Sequence, residues 1–192
     1  STLDGRTIEI TADYPAQNGT ENHFDGTENL AEQYDLVWVF MPSAAANEDD
    51  ICVLKQFTEA GGRIILAGEF ARYAETEDKN LTAIAQALGT SFTITNDDYL
   101  DPVYADYINV DSDLLGGEEL DENEDEEKLR AIQFHAFADI TYQEPAEVIA
   151  SYNGMAGIVD QAVGKGRITV TSDFNWYTSV RNNAASDLLL RF

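Results

Sequence analysis

Apolar and polar positions alternate from Arg6 to Ala12, with Ile8, Ile10 and Ala12 on one side, which predicts a first β-strand. Pro15 to Gly26 is a run of turn formers and polar residues and predicts a loop, followed by a short helix over Leu30 to Gln33. Leu36-Val37-Trp38-Val39-Phe40-Met41 is apolar without a break and stops at Pro42. A run of this kind predicts a strand buried on both faces, in the middle of a parallel sheet. The period then changes. Ile51, Leu54 and Phe57 recur at helical spacing, Asn47 stands where a cap belongs, and Glu48, Asp49 and Asp50 fill a first turn where the helix dipole favours negative charge. Gly61-Gly62 ends that helix. Cys52 falls beside this stripe and is expected to be a small, buried, unreactive residue. Arg63 to Ala67 predicts another apolar strand, closed by Gly68. Leu81, Ile84, Ala85 and Leu88 predict a second helix that stops at Gly89, and Ser91 to Thr95 a strand after it.

The first half therefore alternates strand and helix over short connections, which implies a parallel sheet with helices on both faces. The second half breaks that rhythm. Residues 97–130 form an acidic insertion that includes the run Asp121-Glu122-Asn123-Glu124-Asp125-Glu126-Glu127, read as a solvated tip. Lys128 to Tyr142 fits neither period. Val148 to Tyr152, Ile158 to Ala162 and Arg167 to Thr171 are three short strands turned at Asn153-Gly154 and Gly164-Lys165-Gly166, which predicts late antiparallel hairpins. Asn183 to Phe192 closes as a helix. The chain thus predicts a single α/β domain over residues 1–192, with a mainly parallel central sheet.

Charge narrows the partners. Of 192 residues, 11 are Lys or Arg and 36 are Asp or Glu, a formal net charge of −25. Nucleic acid and anionic membrane would be repelled, and like-charged copies favour a monomer. No apolar run reaches the ~20 residues of a bilayer span, so membrane insertion of this segment is not expected. One cysteine excludes an internal disulfide and any multi-Cys metal site. The absence of Met at Ser1 reads as a processed chain or a piece of a longer one. That feature and the presence of only four Lys point to an extracytoplasmic setting, secreted or in the cell envelope; the cytoplasm of a halophile would carry the same acidic, Lys-poor composition.

Two stretches carry a resemblance. Tyr34-Asp35-Leu36-Val37-Trp38-Val39-Phe40 with Leu54 to Gly68, and Gly164-Lys165-Gly166-Arg167-Ile168-Thr169-Val170-Thr171-Ser172-Asp173-Phe174-Asn175 with Asn183 and Leu188-Leu189, resemble the class I glutamine-amidotransferase-like superfamily. The likeness is to the non-catalytic branch found in bacterial surface, gliding and transport-associated proteins, and covers roughly residues 5–98 and 145–192. It implies a flavodoxin-like three-layer sandwich. Catalytic members of that superfamily carry a Cys on the turn after the third strand, and a late His and Glu. Here the turn reads Ala67-Gly68-Glu69-Phe70-Ala71, and the late strand leads into Asp173, Phe174 and Asn175. Without the Cys-His-Glu triad, glutaminase activity is not implied.

Other nucleophilic and nucleotide-binding patterns are missing from the sequence as well. No Gly-x-Ser-x-Gly elbow, P-loop spacing or Gly-x-Gly-x-x-Gly occurs, His23 lies in a polar loop, and His135 lies in an apolar stretch. Ligands of open parallel sheets bind outside the carboxyl ends of the strands. Those ends carry Asp13 and Tyr14, Ser43, Glu69, and Asp173, Asn175 and Trp176, which makes Asp13, Ser43, Glu69, Asp173, Asn175 and Trp176 the candidate ligand-binding residues. Three carboxylates beside an indole suit a sugar or a cation. Asp97, Asp98 and Asp101 cluster past a strand end and are the candidate oxygen ligands for a hard cation such as Ca²⁺; no other cofactor is expected.

The expected function is a non-enzymatic binding or scaffold module whose partner is a protein, glycan or small ligand. The alternative is a hydrolase using Glu69 and Asp173 as an acid/base pair, with a carbohydrate as substrate. Glu69 is expected to cap the following helix or to pair with Arg72, either of which would lower its pKa. Carboxylates crowded there without a cation would raise it instead.

Overall fold

The computed structural model describes residues 2–3, 6–7, 29–104 and 133–175. Strands β1 (Thr2–Leu3) and β2 (Arg6–Thr7) pair antiparallel, and the remainder of the strand expected over residues 6–12 lies outside the described residues. Helix α1 (Leu30–Gln33) leads into β3 (Leu36–Phe40), α2 (Glu48–Ala60), β4 (Arg63–Ala67) and α3 (Ala71–Ala87). Then come β5 (Thr93–Tyr99), β6 (Val103–Tyr104), β7 (Gln133–Phe134), β8 (Phe137–Thr141), β9 (Glu147–Tyr152), β10 (Met155–Val163) and β11 (Gly166–Thr171). The expected insertion tip and closing helix fall outside the described residues.

Helix α2 forms for local reasons. The Asn47 side chain accepts from the Asp50 N–H at 2.8 Å, and Asp50 accepts from the Asn47 N–H at 3.1 Å, a reciprocal capping box. Gly61 ends it in the left-handed conformation at φ 113°, with Gly62 N–H donating to Phe57 O at 2.9 Å. Its buried positions are Asp50, Val53, Leu54, Phe57 and Thr58. Cys52 lies just off that stripe and is exposed, contrary to expectation. One residue along a helix is a rotation of about 100°, enough to carry a side chain from core to solvent.

The principal sheet has five strands in the order β3-β4-β11-β10-β9. β3, β4 and β11 run parallel and in step, so that Phe40, Ala67 and Thr171 align across it. β11, β10 and β9 run antiparallel through the two predicted turns. Asn153 at φ 52° and Gly154 at φ 81° supply the two left-handed residues of a two-residue hairpin. Val37, Val39, Ile64, Leu66, Ile168 and Val170 face one core with Val53, Leu54 and Phe57 of α2 and Leu81, Ile84 and Ala85 of α3.

Two features depart from the expected sheet. β3 stands at one end of the described order rather than in the middle, and Trp38 and Phe40 are 37% and 49% exposed. β5 does not extend the parallel sheet but pairs antiparallel with β8. Its Asn96 and Asp97 are exposed and only Ile94 is buried, so it cannot line a sheet covered on both sides. Among the described strands, antiparallel pairings outnumber parallel ones, and the sheet is mixed rather than mainly parallel. Among the described residues no helix is long and apolar enough to cross a membrane.

Candidate functional site

Because β3, β4 and β11 end in register, the segments leaving them emerge along one edge. Met41 N–H donates to Ala67 O at 3.0 Å and Gly68 N–H to Thr171 O at 2.8 Å, which carries the ladder one step past the strands. Glu69 follows at the β4–α3 turn, and Asp173 and Asn175 follow β11. Glu69 is 1% exposed and Asp173 0%.

Each oxygen of this pair is bonded to the chain. Glu69 Oε1 accepts from the Phe70 N–H at 3.0 Å, and Oε2 accepts from Asn175 Nδ2 at 2.9 Å. Asp173 Oδ1 accepts from the Asn175 N–H and Oδ2 from the His135 N–H, both at 2.6 Å. Asn175 therefore bridges the two carboxyls. Of the six candidate ligand residues, the structure brings together Glu69, Asp173 and Asn175. Ser43 is exposed in the loop after β3. Asp13 and Trp176 lie outside the described residues.

A third carboxyl belongs to this group and was not singled out in the sequence. Asp78, on α3, is 3% exposed; its Oδ1 accepts from the Glu69 N–H at 3.1 Å, and its Oδ2 is buried without a hydrogen-bond partner. Gly68 makes this possible, since a Cβ there would run into Asp78 Oδ1. A signal existed: Ala71, Ala74, Asp78, Leu81 and Ala85 follow one helical stripe, and Asp78 is the charged residue on an otherwise apolar face.

Burial dominates the electrostatics. It pushes the Glu69 pKa up to about 8, with the Asp173 and Asp78 charges adding to it against the bonds from Phe70 and Asn175. Burial likewise pushes Asp78 up to about 7 with Glu77 and Asp98 adding to it, and Asp173 up to about 6 against its bonds to His135 and Asn175. Glu69 thus has the cap-like bond that was expected at the start of α3, but the opposite shift, because desolvation outweighs it. Nor does it pair with Arg72, whose Nε lies 3.7 Å from Asp98 Oδ2. Asp160 is a contrast: also fully buried and raised by desolvation, it has a cation, with Arg167 Nε at 2.8 Å and Thr169 Oγ1 at 2.7 Å.

No protein-family model matches the chain, and no curated relative does. Solved structures of similar fold exist. One is a cytoplasmic protein from Salmonella typhimurium, at TM-score 0.59 and 13% identity over 84% of this chain and 71% of that one. Another is a cytoplasmic protein from Salmonella typhimurium LT2, at TM-score 0.58 and 15% identity over 86% of this chain and 74% of that one. The mmIFT52 N-terminal domain aligns at TM-score 0.56 and 13% identity over 84% of this chain and 78% of that one. At such identities the likeness is one of fold.

The candidate cation ligands are distributed differently from the sequence expectation. Asp98 accepts from the Ala71 N–H at 2.7 Å and the Arg72 N–H at 3.2 Å, which makes it the cap of α3 reached from β5. Asp97 and Asp101 are exposed, and among the described residues no three His, Cys, Asp or Glu side chains gather as a metal site. A cleft of about 280 Å³ lies at the opposite edge of the sheet, lined by Tyr34, Asp35, Gly61, Gly62 and Arg63 among others, away from the three carboxyls.

Proposed function

We propose that this chain is a non-enzymatic binding or scaffold module of a bacterial envelope or secreted protein, built on a flavodoxin-like three-layer plan and related to the non-catalytic glutamine-amidotransferase-like branch. One observation carries the reading. Glu69 and Asp173, the pair a hydrolase would need, are withdrawn from solvent with all four carboxyl oxygens bonded to the chain. A general acid with a raised pKa suits glycoside hydrolysis, but it must also reach the leaving oxygen of the substrate. In this arrangement the raised pKa comes from enclosure, and the carboxyls hold together the exits of β4 and β11. The parallel, in-register β3, β4 and β11 and the Glu69 elbow support the proposed ancestry. A charge of −25 makes a neutral glycan, a basic protein surface or a cationic small ligand the expected partner, and a monomer the expected state.

The test is turnover. Wild-type protein and Glu69→Gln are assayed against a panel of chromogenic glycosides and for ammonia release from glutamine. Both are expected to match buffer, while a screen of soluble oligosaccharides and basic peptides gives saturable thermal shifts. Turnover by the wild type that Glu69→Gln abolishes would overturn the reading.

A further inference from the structure

The edge described above has a property independent of what the module binds. Three carboxyls from three segments lie within one hydrogen-bonded chain: Asp78 to the Glu69 N–H, Glu69 to Asn175 Nδ2, and the Asn175 N–H to Asp173. Facing Glu69 are Asp78 from α3 and Asp173 from beyond β11. Facing Asp78 are Glu77 of its own helix and Asp98 from β5, and facing Asp173 is His135 from the β7–β8 turn. Arg72 is drawn to Asp98, and among the described residues no Lys or Arg forms an ion pair with the three. With all three ionised, the cluster would hold three negative charges in a site closed to water.

We infer that this edge is a proton-held seam, in which the β4–α3 turn, helix α3 and the segment after β11 stay joined while Glu69, Asp78 and Asp173 carry protons, and part locally when they ionise. The backbone amides of Glu69, Phe70, His135 and Asn175 each donate to one of these carboxyls. These bonds favour the ionised form and resist the parting, which the uncompensated burial of three charges drives, and they are the bonds broken when the seam opens. The direction follows from proton linkage. A carboxyl with a higher pKa folded than unfolded binds an extra proton on folding. Its contribution is therefore most favourable below the ordinary carboxyl range near pH 4 and declines as pH climbs through about 6, 7 and 8, where Asp173, Asp78 and Glu69 lose their protons in turn. The neighbouring ladder bond from Gly68 N–H to Thr171 O involves no carboxyl and provides an internal reference.

The experiment is site-resolved amide hydrogen exchange on the full chain at pH 5.5 and 8.5, expressed as protection relative to the intrinsic rate. Protection of the Glu69, Phe70, His135 and Asn175 amides is expected to fall at least tenfold at the higher pH, while the β4 and β11 ladder amides hold theirs. Unchanged protection at the four amides overturns the inference. So does a uniform loss across β4 and β11, which would report global unfolding. In Glu69→Gln, one charge fewer is expected to restore protection of the Phe70 and Asn175 amides at pH 8.5; protection as low as in the wild type counts against the seam. Asp78→Asn, read at the Glu69 amide, gives the same decision if the first variant does not fold.

Discussion

On the outer side of α2, Gln56 Nε2 donates to Cys52 Sγ at 3.4 Å, a solvent-facing contact that leaves the thiol within reach of reagents. A thiol probe is expected to label the native protein stoichiometrically, at a rate within about tenfold of the urea-unfolded chain. Cys52→Ala should shift stability by no more than ~0.5 kcal/mol, as for other surface positions. Labelling that needs denaturant would place the residue in the core instead. The sequence stripe of Ile51, Leu54 and Phe57 runs along the observed one: Leu54 and Phe57 are buried with Val53, Ile51 is partly buried against the same core, and Cys52 lies outside the stripe. Glu69 shows the opposite division of information. Its place on a tight elbow was readable from the small residues Ala67 and Gly68 before it. The direction of its pKa was not, because enclosure depends on Asn175, which is 106 residues away, and on Asp78 from the next helix.

Helices α2 and α3 begin in contrasting ways. The cap of α2 lies within four residues, Asn47 to Asp50, and was legible as a local pattern. The N-cap position of α3 is Phe70, which has no capping side chain, and Asp98 supplies both acceptors from 27 residues downstream of Ala71. No local motif could announce that. Asp98→Ala is expected to lower stability by ~1–2 kcal/mol, the upper part of the usual range for a lost N-cap, because it frees two N–H groups and unties β5 from α3. Urea denaturation measures it; a change under ~0.5 kcal/mol would show that water satisfies the helix start equally well. The same residue explains the fate of the Asp97, Asp98 and Asp101 grouping. Asp98 is turned to the helix start while Asp97 and Asp101 stay exposed, so sequence proximity did not become spatial convergence.

At the scale of the whole molecule, a net charge of −25 sets up like-charge repulsion. Raising salt from ~10 mM to ~0.2 M shortens the Debye length from about 30 Å to under 10 Å. The melting temperature is expected to rise over that range at fixed pH. A flat or falling curve, followed by scanning calorimetry or circular dichroism, would mean that the charges are already neutralised by paired groups or bound cations. The repulsion acts over the surface, whereas the seam is enclosed and screened little by salt. The two effects therefore separate experimentally: salt should change the melting temperature without restoring exchange protection at the four seam amides at pH 8.5.

The sequence by itself determined the elements whose causes are local: the capped and Gly-terminated α2, the apolar strands β3, β4 and β11, and the two hairpin turns of the late strands. In each, the residues that make the bonds or the apolar face lie within a few positions of one another, so periodicity and turn chemistry suffice. It also placed Glu69, Asp173 and Asn175 at one edge, because parallel strands in register must end together. Only the tertiary structure decided that β3 ends the described sheet, that β5 turns to β8, and that Asp78 and Asp98 are drawn to the start of α3. The reason is the same in each case. Partner choice, enclosure and the resulting pKa shifts are set by groups tens of residues apart, and the energy of a buried carboxyl depends on what surrounds it rather than on what precedes it in the chain.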